Sequence, residues 1–132
     1  MKLHLGCGNV YLLDGWTNVD IYIKGYSFLA SERPDLVEKN KTTLDNYYKN
    51  AYGHEPTNVQ CVADKFMYMT YLRLDEKTVD EILCVQTLEH FSRWEVVKVV
   101  SEWFRVLKPG GRVTVDVPDF EGLAKQLLDQ QY

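Results

Sequence analysis

Residues 79–117, VDEILCVQTLEHFSRWEVVKVVSEWFRVLKPGGRVTVDV, decide the fold. Val79 to Val85 reads as a strand whose Ile82-Leu83-Cys84-Val85 core is continuously apolar, the pattern of a parallel strand covered on both faces. Ser92 followed by Glu95 makes a capping box that opens a helix, and Val96, Val97, Val100, Trp103, Phe104 and Leu107 recur at helical spacing up to Pro109-Gly110-Gly111. Trp103 and Phe104 read as core. Arg112 to Val117 returns as a strand. Strand, helix and strand in this order, separated by turn residues, are the building unit of an open α/β sheet.

Working outward, Lys2 to Leu5 alternates polar and apolar residues and runs into Gly6-Cys7-Gly8, a strand ending in a turn. Trp16 to Ile21 is a second strand, preceded by Asp14-Gly15 and carrying the acidic Asp20 at its end. About ten residues join the two, so any helix between them has one or two turns, a tight crossover for a parallel pair. Val59 to Ala63, closed by Asp64, reads as the third strand. The stretch before it reads as broken helical segments. Pro34 opens one, Leu36, Val37, Leu44, Tyr47, Tyr48 and Tyr52 supply the apolar spacing, and Asn40 to Thr43 interrupts it. Phe120 to Gln131 is a final helix. With no internal repeat and no composition break, residues 1–132 read as one domain.

Composition narrows the classes. The 132 residues are 45% hydrophobic and 26% charged, an ordinary globular balance without a disordered tract. A chain of this size buries about two-thirds of the surface its unfolded form exposes, enough for one core. No apolar run approaches the roughly 20 residues that span a bilayer, and Met1 to Gly8 lacks the apolar stretch of a secretory signal, so a cytoplasmic protein without membrane contact is expected. Cys7, Cys61 and Cys84 are odd in number and far apart, without the paired spacing of a zinc site or a disulfide framework, which points to a reducing compartment and no metal. The net charge of −4 is spread evenly: residues 1–60 carry 6 basic and 7 acidic side chains, and the remainder 9 and 12. Without a basic stripe, no nucleic-acid partner is expected.

Open α/β sheets bind ligands beyond the carboxyl ends of their strands, where the strand order reverses. The informative residues are therefore at the strand exits: Gly6-Cys7-Gly8, Asp20, Asp64, and Gln86-Thr87. A glycine turn admits close approach to the backbone. A carboxylate after the second strand can accept both hydroxyl hydrogens of a ribose, and one after the third can accept from an exocyclic amine. Each residue also has a plainer reading: Gly6 and Gly8 as a tight turn, Asp20 as a cap, Asp64 as a solvated carboxylate, Glu89 and His90 as groups that orient their loop.

Taken together, Leu3-His4-Leu5-Gly6-Cys7-Gly8, Asn18-Val19-Asp20, Val79-Asp80-Glu81-Ile82, Leu88-Glu89-His90-Phe91 and Arg105 to Arg112 resemble the class I S-adenosylmethionine-dependent methyltransferases, of the type 11-like group. The resemblance runs from Lys2 to about Asp119, poorly matched from Lys24 to Asn58. It implies a Rossmann-like, mainly parallel α/β sheet with helices on both faces, and S-adenosyl-L-methionine as cofactor. By the same resemblance Leu5, Gly6, Cys7 and Gly8 would face the methionine and sugar portion, Asp20 the ribose hydroxyls, Ile21 the adenine face, Asp64 the adenine amine, and Gln86 with Thr87 the methionine end. Two departures stand out. His4 and Val10 occupy places where the family often has an acid and a third glycine, and the family's last two strands are missing after Arg112 to Val117. That strand then lies at the sheet border, where its unpaired backbone invites self-association.

The function implied is methyl transfer to a small-molecule or saccharide-type acceptor. A sulfonium is already an activated leaving group, so alignment of nucleophile, methyl and sulfur supplies most of the acceleration. His90, Asp119 and side chains from Lys24 to Tyr52 are the candidates for a base, where the acceptor needs one. A shortened fold that binds cofactor or partner without catalysis is the alternative. An NAD-dependent oxidoreductase fits less well: Tyr11 stands where its third fingerprint glycine belongs, and Asp20 follows Gly8 by 12 positions instead of the expected ~20.

Overall fold

The computed structural model describes residues 1–50 and 60–131. In chain order the elements are β1 (Lys2–Leu5), β2 (Tyr11–Leu12), β3 (Trp16–Asp20), β4 (Ser27–Leu29), α1 (Pro34–Asn40), β5 (Lys41–Thr42), α2 (Leu44–Asn50), β6 (Cys61–Ala63), β7 (Lys65–Phe66), β8 (Val79–Val85), a 3-10 turn (Leu88–His90), α3 (Arg93–Val106), β9 (Leu107–Asp116) and α4 (Phe120–Gln131). Five of the strands form an all-parallel sheet in the order β7-β3-β1-β8-β9. β1 sits in its middle, with Leu5 opposite Val19 on one side and Cys84 on the other. The strand order reverses there, so the crevice between β1 and β8 is the switch point of a Rossmann-like sheet.

Alternation along the strands divides the core. Leu3, Leu5, Ile82 and Cys84 face α3 and pack with Val99, Trp103 and Val106, whereas Leu83 and Val85 face the other way and pack with Leu12, Trp16 and, from α2, Leu44 and Tyr47. Helices therefore cover both faces. Arg105 of α3 donates to the carbonyls of Leu72 and Leu74, each at 2.8 Å, while Glu102 accepts the Leu72 N–H at 2.8 Å. That clamp ties the loop after β7 to the helix.

The structure revises several expectations. No helix joins β1 to β3; β2 lies there and pairs with β5 in a separate two-stranded sheet. The expected third strand begins at Val59, outside the described residues, and its described part, β6, pairs with β4 instead of entering the main sheet. β7, only two residues long, takes the border place beside β3. The second strand stops at Asp20, before Ile21. The last strand begins at Leu107, because Pro109-Gly110-Gly111 is absorbed as an irregularity that shifts the register from Val79–Leu107 to Glu81–Arg112. Only a glycine fits at Gly111, where a Cβ would stand 2.9 Å from the Lys108 carbonyl and 3.2 Å from that of Asp80. Phe104 is 86% exposed while Trp103 is buried: the inward stripe runs Val99, Trp103 and Val106, and the next residue on a helix points about 100° away. Tyr52, expected in the middle helices, is outside the described residues.

The capping box is present as read. Ser92 Oγ accepts the Glu95 N–H at 3.2 Å and Glu95 Oε1 accepts the Ser92 N–H at 3.0 Å. Ser92→Ala should lower the stability by about 1 kcal/mol in urea unfolding, with an unchanged denaturant slope.

Candidate functional site

The carboxyl ends of β1, β3 and β8 open on one hollow of about 350 Å³. Gly6 lines its floor, Asp20 and Ile21 one side, Gln86 and Thr87 the other, and Tyr26, Met67, Met69, His90 and Phe91 complete the wall. Gly6 has φ +68°, and a Cβ there would meet Thr87 Oγ1 at 2.3 Å. Its lack of a side chain lets β1 and the end of β8 close on each other. Gln86 holds a left-handed φ of 52°, a conformation that costs a residue with a Cβ about 1 kcal/mol. Its N–H donates to the Asp116 carbonyl at 2.7 Å and its side-chain amide to the Asp116 carboxylate at 3.2 Å, so β9 holds this corner in place.

Asp20 is set by the turn after β1. Its Oδ2 accepts the Gly8 N–H and its Oδ1 the Ile21 N–H, both at 2.7 Å. Oδ2 also takes a long bond from Cys61 Sγ at 3.8 Å. A carboxylate has about four acceptor directions, so Oδ1 keeps one for a further donor and Oδ2 takes one in place of the thiol. A pair of ligand hydroxyls suits that capacity. Met67 and Met69 supply polarizable apolar surface beside Ile21, suited to the face of a heteroaromatic ring.

Beneath the hollow runs a polar network. Tyr11 donates its hydroxyl to Asp64 Oδ1 at 2.5 Å, and Asp64 Oδ2 accepts the Asn18 backbone N–H at 2.7 Å and side-chain amide at 3.3 Å. Burial, and then the bond to Asp64, push the Tyr11 hydroxyl up to about 12. Asn18 Oδ1 accepts the Leu12 N–H at 2.9 Å and meets His4 Nδ1 at 2.8 Å. Since that oxygen can only accept, His4 carries its proton on Nδ1. Its ring is 1% exposed.

A family model described as a methyltransferase domain matches residues 3–115. The chain belongs to this family. With that membership comes S-adenosyl-L-methionine as the cofactor of the methyltransferase domain. No curated protein matches the chain. Among solved structures, the PH0226 protein of Pyrococcus horikoshii OT3 is 22% identical, with a TM-score of 0.53 over 98% of this chain and 51% of that one. An S-adenosylmethionine-dependent methyltransferase of Methanosarcina mazei is 18% identical, with a TM-score of 0.48 over 86% of this chain and 50% of the other. The YcgJ protein of Bacillus subtilis is 20% identical, with a TM-score of 0.47 over 96% and 48%. The chain thus spans about half the length of each of these proteins.

The hollow brings together Gly6, Asp20, Ile21, Gln86 and Thr87 of the residues expected there. Leu5 is fully buried in the core against α3, and Cys7 turns into a separate cluster with Cys61 and Ala63. Gly8 reaches the site through its N–H on Asp20. Asp64 is committed to Tyr11 and Asn18, under β3, and is not among the residues that line the hollow. Tyr26 comes from the Lys24 to Tyr52 stretch and Phe91 from the Leu88 to Phe91 motif, whereas Met67 and Met69 were not expected; Met67-Tyr68-Met69 carries an alternation that, just after Asp64, is a sequence signal for two side chains on the same side.

His4 gives the methyltransferase domain an acid limit. Burial holds the imidazole down at about 4, against smaller opposing effects of the Asn18 bond and the Asp20 charge. A histidine bound neutral in the folded state, with an unfolded value of 6.5, contributes stability that is full above pH 6.5 and gone below about pH 4. Between pH 6.5 and 5, before most carboxylates titrate, the unfolding free energy should fall by about 2 kcal/mol, and His4→Leu should flatten that limb. Urea unfolding at each pH checks both.

Proposed function

We propose that this domain binds S-adenosyl-L-methionine in the hollow and transfers its methyl group to a small-molecule or saccharide-type acceptor. The observation that carries the reading is the Asp20 carboxylate, held by two main-chain N–H groups at the exit of β3 and facing the same hollow as Gly6 and Thr87. Its remaining lone pairs suit the ribose hydroxyls. Ile21, Met67 and Met69 flank the adenine, and Gly6, Gln86 and Thr87 border the methionine end; Cys7 and Gly8 act through the main chain. A volume near 350 Å³ falls within the range of small-molecule sites. Asp64, with both oxygens engaged in the network below, serves by holding β3 in place.

When bound, the cofactor supplies a methyl group on a sulfonium that needs no further activation. The work left to this chain is to align the acceptor and exclude water. Tyr26, His90 and Phe91 form the aromatic part of the wall. His90 Nε2 stands 3.6 Å from Glu89 Oε1, which supports a role in accepting a proton from acceptors that must lose one. The even charge and the small hollow favour a small acceptor over nucleic acid. The three free thiols favour the cytoplasm, and among the described residues no helix is long and apolar enough to cross a membrane.

Isothermal calorimetry with S-adenosylhomocysteine tests the site. Removing a charged acceptor of two hydroxyls costs at least about tenfold in affinity, so Asp20→Ala should bind that much more weakly than wild type. Equal binding by the variant, or tight NADH binding without S-adenosylhomocysteine binding, overturns the reading. Turnover of labelled methyl groups separates a transferase from a module that only holds the cofactor.

We also propose that two copies pair through β9. No strand lies on its outer side among the described residues, and Val115 and Val117 nearby are exposed. An antiparallel register centred on Thr114 sets Arg112 opposite Asp116 and Val113 opposite Val115 of the second copy, self-complementary in charge and in apolar character. Light scattering should report a dimer that Val115→Pro, which removes an outward-facing main-chain N–H, reduces to a monomer; a wild-type monomer at high concentration removes the proposal.

A further inference from the structure

One side-chain cluster is left without a task by the function above. Cys7, from the turn after β1, and Cys61, from β6, point at each other beneath Asp20, and the two sulfurs and a carboxylate oxygen all lie within 4.8 Å of one another. Both cysteines are buried, Cys61 completely. Cys61 donates to Asp20 Oδ2 at 3.8 Å and Cys7 to the Val62 carbonyl at 3.6 Å. The Val62 N–H in turn donates to the Gly8 carbonyl at 3.3 Å, so the two thiols are carried by segments already tied together.

We infer that Cys7, Cys61 and Asp20 form a site for a thiophilic divalent cation of the zinc class, and that this cation and the nucleoside of the cofactor exclude each other. Two sulfurs on one tetrahedral zinc stand about 3.8 Å apart, with Zn–S near 2.3 Å and Zn–O near 2.0 Å, so ligands this close need shifts of under about 1 Å to close on the ion. Thiolate sulfur and carboxylate oxygen are both zinc ligands, and three protein ligands leave the fourth tetrahedral position to water. Each thiol gives up its proton to solvent on binding, and the two thiolates with the Asp20 carboxylate outweigh the dication by one negative charge.

A coordinating dication deprotonates the thiols it binds, so their burial as neutral groups does not bar the ion. The exclusion follows from Asp20, the member shared with the hollow: a carboxylate lone pair given to the ion is no longer there for a ligand hydroxyl. This exclusion rests on the proposed cofactor site; the cation site does not.

Titration of the reduced 132-residue chain with Zn²⁺ and with Cd²⁺ tests the site. The expected result is one ion per chain, about two protons released per ion, and an ultraviolet thiolate-to-cadmium band. Cys61→Ser should weaken binding at least about tenfold and halve the band. An absent band, a release of no protons, or unchanged affinity in Cys61→Ser overturns the inference. The proton count and the band are read on wild type, so a variant that fails to fold leaves the test intact. S-adenosylhomocysteine should raise the apparent Kd for Zn²⁺; simultaneous, independent binding overturns the exclusion. If S-adenosylhomocysteine fails to bind the metal-free chain while Cd²⁺ gives the band, the cofactor reading falls and the cation site stands.

Discussion

The buried side chain of Asn18 is the constraint on which the site depends. It lies midway along β3, inaccessible to water, and an amide in that position destabilises the fold unless its donors and acceptor are met. They are met by three different segments: the Leu12 main chain on β2, His4 on β1, and Asp64 between β6 and β7 all bond to this one residue of β3. The amide thus locates β3 relative to β1 before the sheet hydrogen bonds are counted. Asp20, two residues further along the same strand, inherits its position from that arrangement. So does the glycine turn, whose Gly8 N–H closes on Asp20.

His4 shows how such a network chooses its residues. An acid at that place would arrive beside Asn18 Oδ1, an acceptor, and would need a proton to bond to it. A neutral imidazole brings its own N–H and satisfies the oxygen at 2.8 Å. The histidine and the Asn18–Asp64 pair are therefore a matched set, with Asp64 held by Tyr11 from the far side. Seen this way, the carboxylate after β6 belongs to the scaffold under the hollow, while the one after β3 belongs to the hollow itself.

Much of this was legible in the sequence, and the reasons differ from element to element. β8 and α3 announced themselves because a continuous apolar run and a capping box are local signals that packing only reinforces. Asp20 was legible because a strand exit followed at once. β4 and β7 were not, since three- and two-residue strands carry no period and exist through the partners they meet. Phe104 was misplaced because it shares the helical spacing of Val97 and Val100, whereas the face that meets the sheet is Val99, Trp103 and Val106. Cys7 and Cys61 were read as unrelated because sequence spacing cannot report that β6 returns beside the first turn. Asp64 looked like a ligand group for the same reason: a lone carboxylate after a strand gives no hint of a tyrosine waiting beneath it.

The central place of β1 has a consequence for how the chain is made. Lys2 pairs with Trp16 on one side and with Glu81 on the other, so one flank is matched almost as soon as it leaves the ribosome and the other waits for a distant segment. During that interval translation continues while a strand with an open border is held in the cell. The amide-and-carboxylate lock around Asn18 draws chiefly on residues that emerge before β8. It can steady the nascent amino-terminal part of the molecule until the missing neighbour arrives.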